Sequence, residues 1–218
     1  YDSRWTVYID LSILREGNID LNEYRDTLER GGWYGIERVR GKYYSIFPVI
    51  PTFLALPAVA VYRAWLPESD VIRMREIIER AVASCLIALA AVFMYLCARL
   101  VLGEVGAIVI ALIFAFCTPA WSTASRALWS HTPSILMLSI TLYILLRSRE
   151  SPSLIQWSAI PVALSYLMRP TNCVTVVLVT LYVVLCYRRF LIHFLALGGV
   201  VGAVFLVFNL AHYGTILP

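Results

Sequence analysis

The sequence predicts an all-α protein: a polytopic transmembrane helical bundle of about six spans with an N-terminal amphipathic juxtamembrane region. Three observations carry this. Hydrophobic residues fill 60% of the 218 positions and mean hydropathy is +0.75, above the roughly half-apolar content of soluble domains. The charges are unevenly placed, with eight acids and seven bases in residues 1–42 and none in 190–218. From residue 81 onward, uncharged runs of bilayer length follow one another. A net charge of +4 spread this thinly makes no nucleic-acid surface.

The elements follow in order. Tyr1 to Arg15 sets Trp5, Tyr8, Ile9, Leu11, Ile13 and Leu14 among Asp2, Arg4, Asp10 and Arg15. That spacing predicts a helix lying on a membrane surface. Gly17-Asn18 ends it, and Gly31-Gly32 and Gly35 mark loops. Run 43–66 is apolar enough to span, yet Pro48, Pro51 and Pro57 break a regular helix more than once. A bent, partly embedded segment accounts for it at least as well as a span. Runs 81–98, 106–125, 127–146, 151–168 and 170–187 each hold 18–20 residues without a charge, close to the ~20 needed for a ~30 Å hydrocarbon core. Run 190–218 gives the sixth. Helices are required there, because lipid-exposed backbone must satisfy its own hydrogen bonds.

Orientation is balanced. Arg99, Arg147, Arg149, Arg188 and Arg189 share one side, and Arg73, Arg75, Arg80, Arg126 and Arg169 the other. The tight Arg pairs lean toward their side being cytoplasmic. Cys85, Cys97, Cys117, Cys173 and Cys186 form no C-x-x-C pair and read as buried free thiols. A chain that starts at Tyr1 and stops at Pro218 after an apolar run reads as part of a longer protein.

Three places hold polar groups that a structural bundle does not need. Asp2-Ser3-Arg4-Trp5 sets a carboxylate beside a cation and an aromatic, and Asp2 is either a helix cap or a functional acid. Ser125 to His131 places Arg126, Trp129 and His131 at a helix start, as an interfacial belt or an anion-binding rim. Met168-Arg169-Pro170-Thr171-Asn172 splits two runs. Arg169 at the bilayer centre costs ~2.5–3.5 kcal/mol, so it marks a helix end, and Pro170 suits the first turn of the next helix. In the six-span arrangement these places share one membrane face with Lys42 to Tyr44 and His212-Tyr213-Gly214. Carboxylate, Arg and His groups gathered there suit an enzyme acting on an anionic, lipid-borne substrate. His193 lies near Arg188 and Arg189 on the opposite face. No two histidines share a span at ligand spacing, which argues against a bis-histidine haem.

The strings DSRWTVYIDLSILREGNIDLNEY, GKYYSIFPVIPTFLALP, WSTASRALWSHTPSILML, YLMRPTN and HYGTILP occur in this order along almost the whole chain. Together they resemble the N-terminal half of the glycosyltransferase C class, above all its bacterial polyprenyl-phosphate-dependent members, distant relatives of protein O-mannosyltransferases. The resemblance implies that residues 1–76 are an extracytoplasmic loop with juxtamembrane helices, that 77–218 are the transmembrane bundle, and that the first span lies upstream. It implies a multi-pass protein of the cytoplasmic (inner) membrane whose catalytic carboxylate is Asp2. Arg4, Arg126, His131, Arg169, Asn172 and Tyr213 are the candidate substrate-binding residues. The implied partners are a polyprenyl-phosphate-linked sugar and membrane lipid. His131 stands where related transferases often carry an acid, so a divalent metal, the cofactor in question, has no clear ligand set. The rival expectation is a non-catalytic membrane subunit that keeps the fold within a larger protein complex. A transporter fits less well, since the span interiors hold almost no ionisable residues.

Overall fold

The computed structural model describes residues 3–30 and 34–215. The fold is all-α, with 77% of the chain helical. Among the described residues the α-helices are α1 (Thr6–Glu16), α2 (Arg25–Arg30), α3 (Ile50–Trp65), α4 (Glu68–Arg73), α5 (Arg75–Arg99), α6 (Glu104–Phe116), α7 (His131–Arg147), α8 (Ala159–Met168), α9 (Cys173–Cys186) and α10 (Leu191–His212). One antiparallel hairpin, β1 (Ile36–Val39) and β2 (Lys42–Ser45), pairs Ile36 with Ser45 and Val39 with Lys42.

The N-terminal third departs from the expected surface helix. α1 stops where Gly17 turns left-handed, at φ 70°, and donates its N–H to the Ile13 carbonyl. Thr6 to Ser12 are all buried, however, including Asp10 and Ser12. α3 covers one side of α1, while Ile19, Leu21, Tyr24 and Leu28 join Trp5, Tyr8 and Leu11 in one apolar core. A helix covered all round cannot lie on a bilayer with its polar face in water.

The hairpin is a further departure. Arg40 and Gly41 both take positive φ, 50° and 86°, which is the two-residue turn whose twist matches paired strands. Leu21 N–H donates to the Tyr43 carbonyl at 2.8 Å, and Lys42 Nζ meets the buried Asp20 carboxylate at 2.7 Å. Apolar run 43–66 therefore begins as strand and becomes helix only at Ile50. The prolines do not break that helix repeatedly. Pro48 precedes it, Pro51 occupies its first turn where no N–H is needed, and Pro57 is accommodated inside. Pro51, Thr52, Ala55 and Val59 form its buried stripe.

Each of the six uncharged runs carries a helix, but most helices are shorter than their runs. α6 ends at Phe116 and is followed by Pro119 and a π-helical turn, Ala120–Ala124. α7 starts only at His131. Among the described residues two helices, Arg75–Arg99 and Arg188–His212, are long and apolar enough to cross a membrane. At 25 residues each they reach about 37 Å. Only 6% of the most apolar stretch of the second is buried inside the protein, and Ile192, Val200, Val204 and Val207 stand exposed along it.

α5 to α10 run alternately up and down. The turns after α6 and α8 and the end of α10 gather where α5 begins, as Asn172 bonding Ser134 and Tyr44 meeting Tyr213 show. The opposite ends meet through Phe93–Tyr143 and the cluster of Leu145, Ile155, Tyr187 and Phe190. Four of the five free cysteines are exposed rather than buried, Cys97 being the exception. Cys85, Cys173 and Cys186 lie on helix faces that this chain leaves uncovered, and Cys117 caps α6.

Candidate cationic cleft

At the end where α5 begins, the chain forms a cleft of about 690 Å³ lined by Ser3, Arg4, Arg75, Glu76, Glu79, Arg80, Ser122, Thr123, Arg126, Ala127 and Trp129. Three segments far apart in sequence supply four guanidinium groups against two carboxylates. Each is held by its own local structure.

Arg4 precedes α1 and lies 5.1 Å from the centre of the Trp5 ring, a cation–π contact. Trp5 is buried and donates from Nε1 to the Tyr34 carbonyl at 2.8 Å. Arg75, Glu76, Glu79 and Arg80 occupy the first turns of α5 at positions i, i+1, i+4 and i+5, so they share one helix face. Arg75 pairs with Glu76 at 3.6 Å. Glu79 is buried and accepts a hydrogen bond from Ser3.

Arg126 projects from the loop between α6 and α7, and that loop is pinned three times. Leu128 is buried beside Leu86 and Leu136. Ser84 Oγ on α5 donates to the Ser125 carbonyl at 3.1 Å. Thr132 Oγ1, fully buried, lies 2.6 Å from the Ala124 carbonyl and 3.2 Å from that of Ala127. Pinned backbone on both sides leaves the exposed Arg126 side chain free to face the cleft. Neither Arg80 nor Arg126 makes a side-chain hydrogen bond or ion pair with a described residue, so the cleft keeps unspent donors. Guanidinium forks suit the paired oxygens of phosphate.

Asp10, on α1, has 0% exposure and no hydrogen-bond partner for either carboxylate oxygen among the described residues. Burial, with a smaller contribution from the Glu79 carboxylate, pushes its pKa up to about 9. Burial thus favours the neutral form of Asp10.

The candidate residues separate. Arg4 and Arg126 meet in the cleft. Arg169 ends α8 in extended backbone and does not line the cleft. Asn172 ties helices together, its Nδ2 donating to Ser134 Oγ at 2.7 Å and to the Ser165 carbonyl at 3.0 Å. His131 opens α7 with its ring 6.3 Å from that of Trp129. Tyr213 packs edge-on against Tyr44, and burial raises its phenol to about 12. Asp2 lies outside the described residues. Arg75, Glu76, Glu79 and Arg80 were not among the candidates. Their signal is the REIIER string, which repeats charge at helical spacing just before a long apolar run.

Among the described residues no group of three or more His, Cys, Asp or Glu is placed to hold a metal ion. No protein-family model, curated protein or solved structure matches this chain.

Proposed function

We propose that this protein is a multi-pass membrane glycosyltransferase of the glycosyltransferase C class, moving a sugar from a polyprenyl-phosphate donor to an acceptor at the extracytoplasmic face of the cytoplasmic membrane. Residues 1–76 cap the site, and the helices of 77–218 span the membrane as six passes. The observation that carries this reading is the cleft, where Arg4, Arg75, Arg80 and Arg126 outnumber Glu76 and Glu79 at one end of a bundle with uncovered apolar flanks.

The charge balance fits the reaction. A glycosyl phosphodiester carries one negative charge, and the polyprenyl phosphate it leaves behind carries up to two. Two surplus guanidinium groups therefore complement the departing phosphate better than the bound donor, which is how binding becomes rate. Asp2 takes the proton of the acceptor hydroxyl. The oxygen bonds the anomeric carbon, and the carbon–phosphate-oxygen bond breaks with its electron pair going to the phosphate. The ring of Trp129 offers a face on which a sugar packs.

The test is turnover of a polyprenyl-phosphate sugar by the full-length protein in detergent or nanodiscs. Asp2→Asn keeps the side chain's size and removes the base, so turnover falls by ~10²–10⁴-fold while donor binding and folding persist. Wild-type turnover in that variant removes Asp2 from the mechanism. A wild-type protein that binds the donor, transfers nothing and co-purifies within a larger complex points to the scaffold alternative.

A further inference from the structure

We propose that the Asp10–Glu79 pair is a proton-binding site coupled to the arginine cleft, so that an anion entering the cleft brings a proton with it. This deepens the reading of the cleft as a phosphate site and rests on it.

The pair spans two elements. Asp10 projects from α1 with 0% exposure and neither carboxylate oxygen partnered among the described residues, and Glu79 projects from α5 with 5% exposure. Only Glu79 lines the cleft. The two are close enough for the Glu79 charge to act on Asp10. Two carboxyl groups out of water and near one another do not both ionise cheaply, so the pair holds at least one proton at neutral pH. Among the described residues no cation offsets the burial of Asp10.

The surrounding charges set the coupling. Arg75, Glu76 and Arg80 face the cleft from α5, Arg4 from the stretch before α1, and Arg126 from the loop before α7. The buried face of α3, which packs on α1, is Pro51, Thr52, Ala55 and Val59, all uncharged. An empty cleft lets the arginines favour a negative Glu79. A bound phosphate spends those arginines and sets its own negative charge beside Glu79, which then takes up a proton. By linkage, protonation of the pair tightens anion binding by the same factor. In the transfer reaction the acceptor O–H breaks and frees one proton as the phosphate gains negative charge. Asp2 takes that proton, while the protonated pair keeps its own negative charge away from the departing phosphate.

Calorimetry of the full-length protein in detergent tests this, with inorganic pyrophosphate titrated near neutral pH in two phosphate-free buffers of different ionisation enthalpy. Wild type binds with an enthalpy that depends on the buffer, corresponding to uptake of on the order of 0.5–1 proton per anion. Glu79→Gln still binds and loses the buffer dependence. Uptake that persists in Glu79→Gln places the proton on another group and overturns the proposal. Binding by wild type with no buffer dependence overturns it too, while the cleft remains an anion site. No pyrophosphate binding at all removes the cleft reading itself. If Glu79→Gln does not fold, infrared difference spectra of wild type decide. Pyrophosphate should raise the C=O stretch of a protonated carboxylic acid, and its absence defeats the proposal.

Discussion

Arg126 and Asp10 carry opposite electrostatic burdens. Arg126 stands exposed with its fork unspent, so its loss removes attraction and leaves no buried charge behind. A charge-assisted hydrogen bond is worth about 1.5–3 kcal/mol, so Arg126→Ala should weaken pyrophosphate binding by roughly 10- to 100-fold and leave the melting temperature unchanged. Unaltered affinity by calorimetry would remove Arg126 from the anion site. Asp10 is buried without a partner, and its pKa of about 9 in the fold makes stability depend on pH. Below about pH 4 it is protonated whether folded or not. Between about 4 and 9 the unfolded chain loses the proton that the folded one keeps. Stability therefore falls as pH rises, by at most about 1.4 kcal/mol per pH unit. Asp10→Asn should melt above wild type at about pH 8 and level with it at about pH 4. Parallel melting curves across that window would show that Asp10 is charged in the fold.

At the scale of elements, the loop of 117–130 decides whether the cleft exists. A continuous helix through this stretch would carry Arg126 away from α5. Pro119, the π-helical turn and the hydroxyl of Thr132 beneath the Ala124 and Ala127 carbonyls hold it open instead. Thr132→Val keeps the shape and takes the hydroxyl from the buried Ala124 carbonyl, at a cost of about 1–3 kcal/mol. Anion affinity should fall with it, because Arg126 loses its fixed base. Thermal melting and pyrophosphate titration on the same sample check both halves. Loss of stability with unchanged affinity would show that the loop is not what positions Arg126. The hairpin has a similar role at the other margin, where Tyr44 against Tyr213 joins the N-terminal cap to the end of α10.

For the whole molecule, the up-and-down course of α5 to α10 places the charged turns at two ends, and the proposed six passes make those ends the two faces of a membrane. Ser69, in α4, and Glu150, after α7, are exposed and lie at opposite ends. In a cysteine-free background, Ser69→Cys and Glu150→Cys should label with an impermeant reagent from opposite faces. Labelling of both from one face would sink the six-pass arrangement. Ser148, two residues nearer the bundle, is a poor probe because it is buried with its hydroxyl on the Ile144 carbonyl.

Hydropathy and helix-stop signals are local, and what depended on them was legible without coordinates: the six runs that carry helices, the stop at Gly17, and the helix end at Arg169, where an Arg in hydrocarbon costs too much. The positive-φ turn at Arg40-Gly41 was not legible, because its residues lack the Asn-Gly or Asp-Gly pairing that marks such turns. Burial was not legible either. Asp10 has the spacing of a solvated helix face, and only the packing of α3 and residues 19–28 around α1 takes it out of water. The candidate site was half readable. Arg4 and Arg126 were picked out by type and position, whereas Arg75, Glu79 and Arg80 were not, because charges in the first turns of a helix are as common where no site exists. Asn172 looked available for a substrate until Ser134 and Ser165 claimed its amide. A sequence specifies which groups are polar and which segments are helical. Which polar groups face one another is decided by what lies against the other side of each helix, and that depends on residues more than a hundred positions away.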